Sequence, residues 1–126
     1  MVVRLPARPG AVIRAIAAVR LYAETLSLAD EAADRLALIA EEWVINILDH
    51  SGAGPQSRIV LMLAQPGGRP RLTISDAGRP FDPCAAEDAG PNLERGGGAG
   101  IALIRTWCEM TYVRRGGRNR LALDLR

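Results

Sequence analysis

The spacing of apolar residues divides the chain into two helical stretches followed by several short strands. Residues 2–5 are expected to form a short edge strand, and an alanine-rich apolar stretch at 11–26 predicts the first helix. After Asp30, which is placed to cap a second helix, apolar residues recur at three- and four-residue intervals until the glycines and proline at 52–55. The first half of the chain is therefore predicted to be mostly helical.

The second half of the chain has the pattern of two β-hairpins. Its apolar segments are short, rich in branched residues and separated by glycine-containing turns, one of which also has a proline. Such segments favour antiparallel pairing of each strand with the next. The predicted hairpins pair 58–64 with 71–75, and 110–115 with 120–125 around a turn at 116–119.

A segment dominated by glycine, proline, alanine and acidic residues, 77–98, separates the two hairpins and is predicted to be a long mobile loop. A third helix is expected directly after it, at 101–108. This order of elements predicts an α+β fold, a two-layer sandwich with helices on one face of a mostly antiparallel sheet. With 48% hydrophobic residues, the 126-residue chain can bury one core, so residues 1–126 are predicted to form a single domain.

The basic residues of the chain exclude two common ways of holding a nucleotide. All 16 of them are arginine, and 14 acidic residues leave a formal net charge of only +2. Walker-type phosphate loops and eukaryotic-type protein kinases both need a lysine on the phosphates, so neither mechanism is possible here. The small net charge also argues against a general electrostatic grip on nucleic acid.

The sequence has no sign of a membrane segment or of a metal or disulfide framework. No apolar run approaches the ~20 residues that span a bilayer and no secretory leader is evident, so the chain is expected to be soluble and cytoplasmic. Cys84 and Cys108 form neither a CxxC pair nor a cluster with His50, the only histidine. They are expected to be ordinary reduced thiols.

Three polar residues share one side of the second predicted helix. Glu42, Asn46 and His50 lie four residues apart, so they drift only ~80° around the helix axis. A carboxylate and an amide held beside the apolar stripe are costly unless they are used. An ordinary solvated helix face is the alternative, because a Glu-x-x-x-Asn spacing is common by chance.

Two further features suit a nucleotide, although each also has a simpler interpretation. Asp76 ends a predicted strand just before Gly78, where a carboxylate could accept a hydrogen bond from an adenine amine or merely form the turn. The glycine-rich run 96–100 opens a helix, which suits phosphates, although a flexible hinge has the same composition. Leu103 stands where a dinucleotide fingerprint needs its third glycine, so a Rossmann fold is disfavoured.

The order of these features resembles the GHKL superfamily of ATP-binding domains. Its N box is similar to residues 42–50 (EWVINILDH), and its two glycine boxes are similar to residues 76–83 (DAGRPFDP) and 98–104 (GAGIALI). Within the superfamily, the anti-sigma factor serine/threonine-protein kinases are the most similar. That narrower resemblance depends on the stand-alone size, on the forms of the two glycine boxes and on the closing segment 117–121 (GRNRL).

The resemblance implies a GHKL (Bergerat) fold that binds ATP and Mg²⁺. By this resemblance Asn46 would hold the Mg²⁺ ion, Glu42 would be the general base toward an attacking hydroxyl, and Asp76 would accept from the adenine amine. His50 would be structural. The remaining implied nucleotide contacts lie in the glycine boxes and in the lid that joins them: Gly78, Phe81, Arg95, Gly98, Gly100 and Ile101.

The resemblance also implies a partner-switching function in transcription regulation. Such a kinase phosphorylates a serine of a STAS-domain antagonist and sequesters a sigma factor, and it can form a homodimer, with no direct nucleic-acid or membrane partner. Two alternatives stay open. Trp43 and Ile45 are larger than the residues usual at their N-box positions, which would suit a nucleotide-dependent binding module without kinase turnover. The domain could also act in another phosphorelay, in trans on a separate phosphoacceptor.

Overall fold

A computed structural model describes residues 1–85 and 98–126 of the chain. Its strands form one sheet in the order β1-β2-β3-β5-β4, and every neighbouring pair is antiparallel. The elements in chain order are β1 (Val2–Pro6), α1 (Ala11–Thr25), α2 (Asp30–His50), β2 (Arg58–Ala64), a 3₁₀ turn (Pro66–Gly68), β3 (Arg71–Asp76), α3 (Gly98–Trp107), β4 (Cys108–Arg115) and β5 (Arg118–Leu125).

The hydrophobic core lies between the helices and one face of the sheet. Successive side chains of a strand point to opposite faces, and the buried leucines and isoleucines of β2, β3 and β5 fall at every second position. They meet the buried stripes of α1 and α2, where Ala15, Val19 and Ile39 are inaccessible to solvent. Helices thus cover one face, and the predicted two-layer α+β sandwich is confirmed. In the described ranges, no helix covers the second face.

Several predicted element boundaries are wrong, at α2, at α3 and at the second hairpin. Ala29, not Asp30, is the N-cap of α2, and Asp30 begins the helix, where its charge suits the helix dipole. The helix α3 begins at Gly98 and ends at Trp107, so the following cysteine already belongs to β4. The second hairpin turns on two glycines alone, with φ of 58° and 75°, because a tight hairpin turn needs positive φ at both positions.

The shorter turn adds two residues to the start of β5. Arg118 and Asn119, predicted to be turn residues, are instead strand residues, and Asn119 pairs with Asp76 at the end of the central strand β3. A change of strand length by two residues therefore brings a side chain into the candidate site.

The two cysteines have different surroundings and neither forms a disulfide. Cys84 is exposed and Cys108 is buried, and both are free thiols, as predicted. Burial raises the pKa of the Cys108 thiol to about 12, so it remains protonated at neutral pH. No helix in the described ranges has the length and the apolar composition to cross a membrane.

Candidate functional site

The two carboxylate oxygens of Asp76 differ in their hydrogen bonding. The side chain is only 1% exposed at the end of the interior strand β3. Its Oδ1 accepts hydrogen bonds from the backbone N–H of Gly78 at 2.8 Å and from Nδ2 of Asn119 at 3.1 Å. Its Oδ2 is also buried and has no hydrogen-bond donor among the described residues. Because a buried carboxylate oxygen without a donor is destabilising, Oδ2 is suited to a donor supplied by a ligand.

Asn119 holds this carboxylate and the loop that follows it. Its Nδ2 donates to Asp76 and to the carbonyl oxygen of Arg79 at 2.8 Å. Its Oδ1 accepts from the N–H of Phe81 at 3.3 Å and from the hydroxyl of Tyr112 at 2.5 Å. The amide group therefore connects β3, β4 and the loop after Asp76. The sequence reasoning missed this residue because it assigned Asn119 to the hairpin turn.

The loop after Asp76 docks on the end of α2. A Cβ atom added at Gly78 would lie 2.4 Å from Cβ of Ser51 and 2.7 Å from its carbonyl oxygen, so only glycine fits there. The backbone N–H of Arg79 donates to the carbonyl of Ser51 at 2.9 Å, and its guanidinium group donates to the carbonyl of His50. Glycine at position 78 is thus required by packing against the helix, and His50 contributes a structural contact through its backbone.

Glu42 and Gly100 are brought together across the gap between α2 and α3. A Cβ atom added at Gly100 would lie 2.8 Å from Oε2 of Glu42, so the carboxylate rests against the first turn of α3. The positive end of a helix dipole stabilises a negative charge at this position. One turn further along α2, Asn46 is 7% exposed. The stripe of polar residues on α2 is therefore not an ordinary solvated face.

The other predicted contacts are distributed between the site and the core. The ring of Phe81 is stacked on that of Trp43, with centroids 6.3 Å apart. Trp43 is 2% exposed, so its large side chain fills the core beneath the loop. Gly98 begins α3, and the side chain of Ile101 is buried in the core. Arg95 and most of the predicted lid lie outside the described residues.

The model of one protein family matches almost the whole chain. The histidine kinase-like ATPase domain matches residues 5–125, which includes all three of the motifs on which the sequence reasoning depended. The chain belongs to this family. Membership implies that it binds ATP. A search of curated proteins found no sequence that matches it.

Solved structures with the same fold include proteins from three bacteria. The structure of the RsbU and RsbW domains of Rv1364c from Mycobacterium tuberculosis has a TM-score of 0.65 and 17% identity, and the match covers 100% of this chain and 32% of that one. The SiaB-SiaC complex from Pseudomonas aeruginosa has a TM-score of 0.58 and 15% identity, covering 99% and 88%.

The histidine kinase domain of a blue-light activated histidine kinase from Erythrobacter litoralis has a TM-score of 0.56 and 23% identity, and the match covers 75% of this chain and 44% of that one. This chain therefore spans less than half the length of that kinase domain. At these identities the three structures support the fold and nothing finer.

Proposed function

We propose that the chain is an ATP-dependent protein serine kinase of the anti-sigma factor type, with its nucleotide between α2, the loop after β3 and the start of α3. The observation that carries the proposal is the buried Oδ2 of Asp76, which lacks a donor within the described part of the chain. The exocyclic amine of adenine donates at the corresponding position of a bound base. The keto group of guanine can only accept, so a carboxylate there selects ATP over GTP.

The phosphates are proposed to lie at the first turn of α3. Gly98 and Gly100 have no side chains at the start of this helix, and the helix dipole favours an anion there. Asn46 is the residue suited to hold Mg²⁺, because an amide oxygen is a hard ligand and Mg²⁺ usually takes few protein ligands besides phosphate oxygens. When bound, that ion neutralises charge on the phosphates.

Glu42 is proposed to be the general base. Its carboxylate already lies against the turn that would hold the phosphates. It would accept the proton of a serine hydroxyl as the serine oxygen bonds to the γ-phosphorus and the bond to the bridging oxygen of ADP breaks. The other requirements of phosphoryl transfer are to position the serine hydroxyl and the γ-phosphate and to neutralise the charge on the phosphates.

The proposed substrate is a STAS-domain antagonist, and the proposed second partner is a sigma factor that the kinase sequesters, with a homodimer as the assembly. The support is the resemblance of the motifs, together with the shared fold of a structure that contains an RsbW domain and of the SiaB-SiaC complex.

The proposed activity is tested by transfer of labelled phosphate from Mg·ATP to STAS-domain proteins of the same organism. We expect an acid-stable phosphoserine. Glu42→Gln should reduce the rate by about 10²- to 10⁴-fold while leaving ATP bound, because it removes only the base. Asp49→Asn, an exposed carboxylate on the same helix, is the matched control and should transfer normally.

Two other outcomes would each replace the serine kinase proposal. An acid-labile phosphohistidine would assign the domain to another phosphorelay. Tight ATP binding with no transfer to any partner would indicate a binding module without turnover. Trp43, one of the two large residues that suit this alternative, is buried and stacked on Phe81.

A further inference from the structure

The face of the sheet that lacks helices has a hollow lined by arginines. Along β3 and β5, Ser75, Arg118 and Arg120 alternate with the site residues and so point to the opposite face. Together with Val113 and Arg115 of β4 they line a hollow of about 330 Å³. This volume is at the lower end of the range for ligand pockets and is far larger than a site for one water molecule.

One of these arginines is held in a fixed orientation. The Nε of Arg118 donates to the hydroxyl of Ser75 at 2.8 Å, and its Nη2 donates to the carbonyl oxygens of Arg58 at 2.7 Å and of Ser75 at 3.2 Å. A side chain fixed by three hydrogen bonds has already lost its rotamer entropy, so less is lost when an anion binds.

The three arginines of the hollow stand close together without a compensating charge. Arg115 is directly opposite Arg118 in the β4–β5 register, and Arg120 is two positions further along the same strand. Like charges at such positions repel each other. Throughout residues 1–85 and 98–126, no carboxylate lies within 4.0 Å of the guanidinium group of any of the three.

The opposite end of the same face is electrically balanced. Asp124 accepts two hydrogen bonds from Arg71, at 2.6 and 3.0 Å, and Glu109 pairs with Arg69 at 3.0 Å. The uncompensated positive charge therefore lies toward the hollow's end of this face, where the exposed Arg4 and Arg58 of β1 and β2 add to it, and a bound anion would relieve the repulsion there.

We infer that this hollow docks an acidic segment of a partner protein. Planar guanidinium groups bind carboxylates with two parallel hydrogen bonds, and Arg115 and Arg120 are exposed for this contact. Val113, 44% exposed beside them, offers a contact for an apolar side chain of the same segment. A lone phosphate ion would leave most of the hollow unfilled.

Other occupants fit the charges less well. In a symmetric dimer through this face, a second copy of the chain brings either the same arginines or the already paired Asp124 and Glu109. Nucleic acid is bound by domains with a strong net positive charge, whereas the whole chain has a net charge of only +2. Because the hollow is on the opposite face of the sheet from Asp76, this inference does not depend on the proposed kinase activity.

The test uses ¹⁵N-labelled full-length protein and a synthetic octapeptide with four glutamates and two leucines. We expect chemical-shift changes at the amides of Ser75, Val113 and 115–120, and none from a peptide with glutamine in place of glutamate. The double variant R115Q/R120Q should bind about tenfold more weakly, since it removes two exposed ion pairs with the peptide. The matched control R8Q/R14Q removes the same charge elsewhere and should bind normally, with both variants checked for folding by thermal melting.

Several results would overturn the inference. One is an absence of shifts, and another is equal weakening in both double variants. Saturation of the hollow by inorganic phosphate, an oligonucleotide or phosphatidylglycerol vesicles without any peptide binding would replace the acidic segment with that ligand. Sedimentation that shows a dimer disrupted by R115Q/R120Q but not by R8Q/R14Q would assign the face to self-association.

Discussion

At the scale of single residues, the candidate site depends on the different hydrogen bonding of the two carboxylate oxygens of Asp76. Two internal donors occupy Oδ1 of Asp76, so its orientation is fixed and its Oδ2 is the atom left for a ligand. Asn119 supplies one of those donors and also binds the loop through both of its amide atoms. It is a positioning residue, since its own hydrogen bonds are all made within the protein.

Asn119→Ala should therefore weaken both the fold and the binding of ATP. We expect the free energy of unfolding in urea to fall by about 2 kcal/mol, because buried hydrogen-bonding groups lose their partners, and the Kd for ATP to rise about tenfold or more. Tyr112→Phe is the matched control: it removes one hydrogen bond to Asn119 but leaves the donor to Asp76 in place. Equal loss of ATP affinity in both variants would contradict the positioning role.

The residues proposed to have chemical roles could be selected from the sequence, whereas Asn119, which holds Asp76, could not. Glu42, Asn46 and Asp76 have recognisable spacing and neighbours, and the structure brings Glu42 to the glycine-rich turn at Gly100. Asn119 is distant in sequence from Asp76, and its role depends on the register between β3 and β5. Assigning the turn to Gly116 and Gly117 alone would have placed Asn119 in β5 and opposite Asp76.

At the scale of elements, the β3–β5 pairing forms the centre of the sheet and carries an ion pair at its far end. Asp124 on β5 lies opposite Arg71 on β3 and is hydrogen-bonded to its guanidinium group, which lowers the pKa of the Asp124 carboxyl group. A carboxyl group whose pKa is lower in the folded state stabilises the fold above its unfolded pKa. That contribution is lost as the pH falls through the folded value.

Asp124→Asn should consequently destabilise the protein at pH 7 but not at pH 2. The expected loss at pH 7 is about 0.5–1 kcal/mol, since the Arg71 side chain is 43% exposed and solvent screens the pair. Urea unfolding at several pH values measures it, and the difference from the unmodified protein should begin to shrink below about pH 4 and disappear below the lowered pKa of Asp124. Glu109→Gln, in a more exposed pair, is expected to cost less. A constant difference down to pH 2 would show that the carboxylate charge is not the cause.

At the scale of the whole molecule, the sheet separates two surfaces with different chemistry. The helix-covered face holds the carboxylate, the amide and the glycine-rich turn, and the other face holds the arginine hollow. The sandwich and most element bounds followed from apolar periodicity, since burial on one side of each element dictates that pattern. The hollow could not be predicted from apolar periodicity, because Ser75 and Val113 come to the two sides of β5 only through the strand order.

Calorimetric titration with Mg·ATP and Mg·GTP tests whether Asp76 holds the adenine of ATP. The unmodified protein should bind one Mg·ATP and prefer it to Mg·GTP. Asp76→Asn should weaken ATP binding about 10- to 100-fold, the value of a hydrogen bond to a charged group, and Asn46→Ala should remove the dependence on magnesium. If the unmodified protein binds no ATP, or if Asp76→Asn binds it equally well, the assignment of the nucleotide site to Asp76 is wrong.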